Sequence, residues 1–184
     1  MVPNLDLFMT LLVGHLLADF PLQTDSVYLL KTKGWYGIFP HAAIHVFVLA
    51  VLLGHPARYW PLLVAVFLVH FLIDWAKFHM PVSAKSIAFL YDQALHLVSL
   101  AVLAALGPKG GVLLPTSVLT VMALYALVPA LLMFASILYE DVQMLTTENG
   151  VNMSWSRQFL ELSHVLGWPL IVAVVVMQVT YGLR

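Results

Sequence analysis

Pairs of ionisable residues recur inside four strongly apolar stretches of the chain. In each pair, two histidine or aspartate residues stand four positions apart, so both side chains lie on one face of a helix, about 6 Å apart along its axis. The pairs are His15/Asp19, His41/His45, His70/Asp74 and Asp92/His96. Neutral imidazole combined with carboxylate is a ligand set that suits zinc, iron or manganese, and eight such ligands suit two divalent ions.

The stretches that carry these pairs are apolar enough to cross a membrane. Hydrophobic residues make up 62% of the 184 residues and charged residues only 9%, whereas a soluble domain has about 25% charged residues. Because a membrane-spanning helix needs about 20 apolar residues, the sequence predicts an all-α, polytopic transmembrane helix bundle that forms a single domain over residues 1–184. The six predicted spans cover residues 5–22, 38–54, 58–79, 86–106, 112–138 and 155–181.

An internal repeat relates the first four predicted spans. The segment "VGHLLADF" (13–20) resembles "LVHFLIDW" (68–75), and "HAAIHVFVLAVLL" (41–53) resembles "DQALHLVSLAVLA" (92–104). We therefore predict that spans 1–2 are duplicated as spans 3–4, over about residues 5–54 and 58–106, around an axis along the membrane normal. Because the chain alternates direction, all four pairs should lie in the same half of the bilayer.

The cost of burying carboxylates favours a metal site over a purely structural role. One unpaired aspartate at the centre of a membrane helix costs roughly 2.5–3.5 kcal/mol, so three cost about 8–10 kcal/mol, comparable with the stability of a whole domain. Protons, charged histidines or metal ions must offset this cost. A hydrogen-bonded network that only joins the helices is the alternative, but four pairs at one depth favour metal ions.

Other polar residues are candidates for supporting roles. Glu161 and His164 form Glu-x-x-His, a motif of di-iron helix bundles, although Arg157 also stands one turn before Glu161 and suits an ordinary ion pair. The candidates for catalytic roles are Lys77, Arg157 and Glu161. Gln23, Asp25 and Gln93 are candidates for residues that orient the metal ligands by hydrogen bonds without binding the metal themselves.

Composition excludes several classes of protein. The chain has no cysteine, which excludes disulfides and thiolate metal sites, and its net charge of −1 argues against a nucleic-acid partner. The first twenty residues lack a basic segment and a small-residue cleavage site, so we interpret them as the first membrane helix. Basic residues near the span ends favour the cytoplasmic side for the half that contains the pairs.

Three segments of the chain and the His-x3-His pattern between two of them resemble those of a known family. The segments "HLLADFPLQTD" (15–25), "HFLIDWAK" (70–77) and "YDQALHLVSL" (91–100), with a His-x3-His span between the first two, resemble the bacterial membrane-protein family catalogued as domain of unknown function 3307. The resemblance covers about residues 10–105. It implies a helical protein of the bacterial cytoplasmic membrane and no particular reaction. A looser similarity links the chain to small bacterial membrane proteins described as metal-dependent hydrolases, whose Pro-Asp motif it lacks.

Four functions are compatible with these patterns. The first is a metal-dependent hydrolase acting on a lipid, a phospholipid or another amphiphile at the membrane interface, with Lys77, Arg157 and either Lys31 or Lys33 holding a phosphate group. The second is a di-iron oxidoreductase of the desaturase or hydroxylase type. The third is a divalent metal-ion transporter, since internal repeats suit alternating access. The fourth is a structural subunit without metal. Membrane lipids are expected partners, and the sequence is compatible with either a monomer or a homo-oligomer.

Overall fold

The computed structural model describes residues 4–79, 84–108, 114–145 and 154–181, with side chains for all of these except 143–145, 154–160 and 181. These residues form seven α-helices and no strand. In chain order the helices are α1 (Leu5–Asp19), α2 (Asp25–Lys31), α3 (Trp35–Leu53), α4 (Pro56–Lys77), α5 (Lys85–Leu106), α6 (Thr116–Leu145) and α7 (Ser154–Tyr181).

Five of the helices are long and apolar enough to span a membrane. They are α3, α4, α5, the segment Thr116–Val142 of α6 and the segment Glu161–Thr180 of α7. Each matches one of the predicted spans to within a few residues, except that α6 runs beyond its predicted end to Leu145. The prediction of an all-α polytopic bundle is therefore confirmed, whereas the duplication of spans 1–2 stays a prediction.

Helix α1 is shorter than the first predicted span, which was residues 5–22. It has 15 residues and ends at Asp19, so it is about 22 Å long and falls short of a hydrocarbon core of about 30 Å. Pro21 explains the early end, because proline has no N–H to donate and disfavours a helical conformation of the residue before it. The helix packs against α3, α5 and α6, which makes it the inner helix of the bundle.

An apolar layer fills the bundle on one side of the histidine and aspartate pairs. Its residues come before the pairs in α1 and α4 and after the pairs in α3 and α5, so they lie at one level. They are Leu7, Leu11, Leu49, Leu53, Tyr59, Leu62, Leu63, Val66, Leu100 and Ala104. The layer closes this side of the cluster to water, while the ends of α2 and α4 lie on the other side.

The short helix α2 lies against the start of α3 because two glycines permit it. Gly34 has a φ angle of 131°, which side chains rarely allow, and it turns the chain from α2 into α3. A Cβ atom on Gly37 would overlap the carbonyl group of Leu30, so only glycine lets the two backbones approach this closely. This contact turns Lys31, the last residue of α2, towards the interior of the bundle.

Candidate metal centre

The structure brings together all eight residues that the sequence predicts as metal ligands. They come from α1, α3, α4 and α5, and each is no more than 6% exposed. Nitrogen and oxygen atoms of these residues form three groups in which every atom lies within 4.8 Å of the others. The groups are Asp19/His41/His45/His70, His15/His70/His96 and Asp74/Asp92/His96.

The first group is built around the carboxylate of Asp19. Its Oδ1 atom lies 3.0 Å from His45 Nε2 and 3.1 Å from His41 Nε2. The same oxygen is 3.9 Å from His70 Nε2. Three imidazoles from two helices, α3 and α4, therefore face one carboxylate oxygen of α1. This arrangement offers four ligand atoms, the number that tetrahedral zinc takes.

The group of Asp74, Asp92 and His96 lies beside the first one. His96 Nε2 is 3.6 Å from Asp92 Oδ1 and 3.8 Å from Asp74 Oδ1. His15 joins the two groups, because its ring centre is 4.8 Å from that of His96 and 5.5 Å from that of His45. The cluster is thus continuous, with a carboxylate-rich end and a histidine-rich end.

Asp74 faces both ends of the cluster. Its Oδ2 atom is 3.4 Å from His70 Nε2 and 3.5 Å from His41 Nε2, both in the first group. Its Oδ1 atom points instead towards His96 in the second group. A carboxylate whose two oxygens face two sets of ligands is positioned to bridge two metal ions.

The spacing and hydrogen bonding of these atoms suit ligands better than a hydrogen-bonded network. Two ligands that are 2.0–2.1 Å from a tetrahedral zinc ion lie about 3.3–3.4 Å apart, within the observed range of 3.0–3.9 Å between histidine nitrogens and carboxylate oxygens. Most buried polar atoms in proteins form a hydrogen bond. The buried atoms that lack one among the described residues include Asp92 Oδ1 and Nε2 of His41, His70 and His96.

Gln93 connects the carboxylates of the two groups. Its Nε2 atom donates to Asp19 Oδ2 at 3.3 Å and to Asp92 Oδ2 at 3.4 Å. Its Oε1 atom lies 3.3 Å from His15 Nε2, within hydrogen-bond distance. The side chain therefore lies beside the candidate ligand atoms and contacts three of the candidate ligand residues, as the predicted orienting role requires.

Two lysines form ion pairs with carboxylates of the cluster. Lys31 Nζ lies 2.8 Å from Asp74 Oδ2, and Lys77 Nζ lies 2.7 Å from Asp92 Oδ2. Burial lowers the pKa of Lys31, but the carboxylates of Asp74, Asp19 and Asp92 together raise it more, so the pKa lies above its usual value and the ammonium group is charged. The sequence suggests Lys31 only for phosphate binding, because its pairing with Asp74 depends on how α2 folds over α3. Gly34 and Gly37 are the sequence signal that α2 approaches α3 closely.

The remaining predicted residues do not join the three groups. Gln23 is buried, and its Oε1 atom has no hydrogen-bond partner among the described residues. Asp25 is exposed at the first position of α2, and Glu161 is exposed on α7. Arg157 lies outside the residues whose side chains are described. The Glu-x-x-His motif therefore adds no described ligand to the cluster.

A small cavity lies between the histidines and the apolar layer. It measures about 10 Å³ and is lined by His15, His45, His70 and His96 together with Ser99 and apolar side chains of α3, α4 and α5. That volume is close to the minimum that one water molecule needs. The histidine-rich end of the cluster therefore has room for one small molecule besides the protein atoms.

The fold and the site together define a class: a polytopic helical membrane protein with a buried cluster of potential metal ligands. The chain belongs to the family described as "Protein of unknown function (DUF3307)", whose model matches residues 7–124, and this confirms the resemblance seen in the sequence. No curated protein and no solved structure matches the chain. The matched region contains every candidate ligand as well as Lys31 and Lys77.

Proposed function

We propose that the cluster holds two divalent metal ions, preferably zinc, and that the protein is a metal-dependent hydrolase acting on a lipid-like substrate in a bacterial cytoplasmic membrane. The observation that carries the proposal is the convergence of eight buried histidine and aspartate side chains from four helices. One ion would take Asp19, His41, His45 and His70, and the other would take Asp74, Asp92 and His96. Asp74 would bridge the two ions, with His15 beside both.

The distribution of charge supports bound metal over a network of ion pairs. Asp74 and Asp92 each pair with a lysine, but Asp19 has no lysine or arginine partner among the described residues. Its oxygens face only imidazoles and the amide of Gln93. A buried carboxylate without a lysine or arginine partner is costly in a membrane, and a divalent cation between Asp19 and the three histidines would offset that cost.

The arrangement suits hydrolysis at a protected site. A bound zinc ion lowers the pKa of a water ligand towards about 7 and polarises an ester or phosphoester oxygen. Gln93 holds the carboxylates of Asp19 and Asp92 in place, which is the role that orienting groups have around metal ligands. The apolar layer keeps bulk water from one side of the cluster, and the cavity beside the histidines has room for a single water molecule.

The same apolar layer favours an enzyme over a transporter. Alternating access needs a polar route from the site to each side of the membrane. In α1, α3, α4 and α5, the described residues beyond the pairs are almost wholly apolar. The polar residues nearest the cluster on that side are Thr10 and Ser99, and the hydroxyl group of each already donates to a carbonyl oxygen of its own helix, that of Asp6 or that of His96. An ion bound in the cluster therefore has no evident second exit.

The experiment that tests the function uses metal-loaded protein in lipid nanodiscs. We expect it to hydrolyse at least one of three fluorogenic lipid analogues, carrying a carboxylic ester, a phosphoester or an amide. A chelator should abolish the activity and zinc should restore it. Asp74→Asn should be inactive, whereas the matched variant Asp141→Asn, outside the cluster, should stay active. Metal-loaded protein that cleaves none of these bonds but carries zinc into proteoliposomes would replace the hydrolase with a transporter.

A further inference from the structure

Two lysines form ion pairs with carboxylates of the cluster, and they suggest what the site binds. We propose that Lys31 and Lys77, together with the two metal ions, form a binding site for a doubly charged phosphate group, so that the substrate is an amphiphile bearing a phosphate. This inference rests on the proposed function, because the ions are part of the binding site.

Both lysines attach to the same group of candidate ligands. Lys31 binds Asp74 and Lys77 binds Asp92, and these carboxylates form one group with His96. An ammonium group has three N–H donors, and the described contacts of each lysine use one carboxylate oxygen. Each lysine therefore keeps donors for a phosphate oxygen while it remains beside the second proposed ion.

The balance of charge predicts a ligand with two negative charges. The carboxylates of Asp19, Asp74 and Asp92 together with the ammonium groups of Lys31 and Lys77 leave the site with one net negative charge. Two divalent ions change this to three positive charges, which is unfavourable in a site surrounded by apolar helices. One hydroxide and one phosphate dianion would together bring the charge to zero, so a phosphate monoester completes the site.

The positions of the lysines indicate how an amphiphile would approach. The side chain of Lys31 is 13% exposed and that of Lys77 is 35% exposed, and each is the last residue of its helix. Beside Lys31, Tyr28 and Leu29 of α2 are 52% and 58% exposed. A short helix with exposed apolar side chains suits the membrane interface. An amphiphile can therefore contact α2 with its apolar part while its phosphate reaches the lysines.

A simple ion-pair role for the lysines makes a different prediction. If the lysines only neutralise Asp74 and Asp92, then replacing them should weaken the fold or the metal site. If they bind phosphate, their removal should leave the metal bound, because an ammonium group beside a carboxylate competes with a metal ion for it. Phosphate affinity and metal content thus separate the two roles.

The test measures both quantities on detergent-purified, zinc-loaded protein. Inorganic phosphate is titrated by calorimetry, and metal content is read by elemental mass spectrometry. We expect the double variant Lys31→Met/Lys77→Met to keep its metal and to bind phosphate at least about tenfold more weakly. Lys31→Arg/Lys77→Arg should recover most of the affinity. The matched control is Lys85→Met, which changes an exposed lysine that pairs with Glu140 of α6 and should bind phosphate like the unchanged protein.

Each outcome has a distinct meaning. Unchanged phosphate affinity in a metal-loaded double variant overturns the phosphate site and leaves the proposed hydrolase standing. Absence of metal from the unchanged protein overturns both. If the double variant does not fold, Lys77→Met alone decides the question, because its side chain is the more exposed of the two, and it should weaken phosphate binding without loss of metal.

The source of the phosphate is tested in nanodiscs. Phosphatidate, a lipid with a phosphate monoester headgroup, is added to phosphatidylcholine nanodiscs that contain the zinc-loaded protein. Competition between phosphatidate and inorganic phosphate would identify a membrane lipid as the source. Binding of inorganic phosphate without competition would support the same phosphate site and assign it to a water-soluble phosphate ester.

Discussion

The first five helices and the last two differ in how many polar side chains they bury. Helices α1, α3, α4 and α5 bury eight histidines and aspartates, whereas the described parts of α6 and α7 bury one polar side chain, Ser163. The family match covers residues 7–124 and ends within the first half of α6. This difference assigns the proposed metal chemistry to α1–α5, whereas α6 and α7 pack against these helices.

Helix α6 nevertheless helps to hold the site, through the start of α5. Ser86 N–H donates to Asp141 Oδ2 at 2.7 Å, and Lys85 N–H donates to Asp141 Oδ1 at 3.1 Å. The residue before α5 is Ala84, which has no side-chain acceptor to cap the helix. An aspartate of α6 therefore satisfies two N–H groups at the start of the helix that carries Asp92.

The largest effect should come from removing the carboxylate that faces both groups. Asp74→Asn keeps the shape of the side chain but removes the charge that would bridge two ions, so we expect nearly all of the bound metal to be lost. Elemental mass spectrometry of the purified variant measures this. Asp141→Asn, in α6, is the matched control and should keep its metal. Full metal content in Asp74→Asn would contradict the assignment of metal binding to α1–α5 and not to α6–α7.

A smaller effect should follow from a ligand that faces only one group. Asp92 contacts His96, Lys77 and Gln93, and it contacts no histidine of the group around Asp19. We therefore expect Asp92→Asn to lose about one of the two ions and to keep the other. A metal titration with two resolved sites in the unchanged protein and one in the variant would show this. Loss of both ions would mean that the cluster binds metal as one unit.

A change in backbone packing should alter phosphate binding without touching a ligand. Gly37→Ala forces α2 away from α3, because the added Cβ would overlap Leu30, and this moves Lys31 from Asp74. We expect the free energy of unfolding to fall by about 1–3 kcal/mol and phosphate affinity to fall about as much as in Lys31→Met. Metal content should stay the same. Unchanged phosphate affinity would show that the position of α2 does not matter to the site.

The smallest expected effect lies in α6. Asp141→Ala removes the cap of α5 and should lower the free energy of unfolding by less than Gly37→Ala does, with the metal retained. Unfolding in a denaturing detergent measures the change. Glu140→Gln is the control, because Glu140 is exposed and its ion pair with Lys85, 3.1 Å long, should contribute little. Loss of metal from Asp141→Ala would give α6 a direct part in the site.

Local patterns in the sequence identify the residues that cluster, and contacts between distant segments explain what these patterns miss. The spacing of four residues lies within one helix, and the depth of each pair follows from its position in its predicted span. The eight residues of the cluster could therefore be found from the sequence. The predicted end of the first span at residue 22 was wrong by three residues, because the apolar stretch continues through Pro21 whereas α1 ends at Asp19. The hydrogen bonds of Asp141 to α5 depend on tertiary packing, and no sequence pattern near Asp141 in α6 indicates them.

The most direct test of the central claim is the metal content of protein purified in mild detergent without chelators. Elemental mass spectrometry should find about two divalent ions per chain, preferably zinc, in the unchanged protein, as the two sets of ligands require. Two irons would keep the metal centre and point to oxidation chemistry. No bound metal, even after zinc, iron and manganese are added back, would contradict the claim and leave the cluster as a network that holds the helices together.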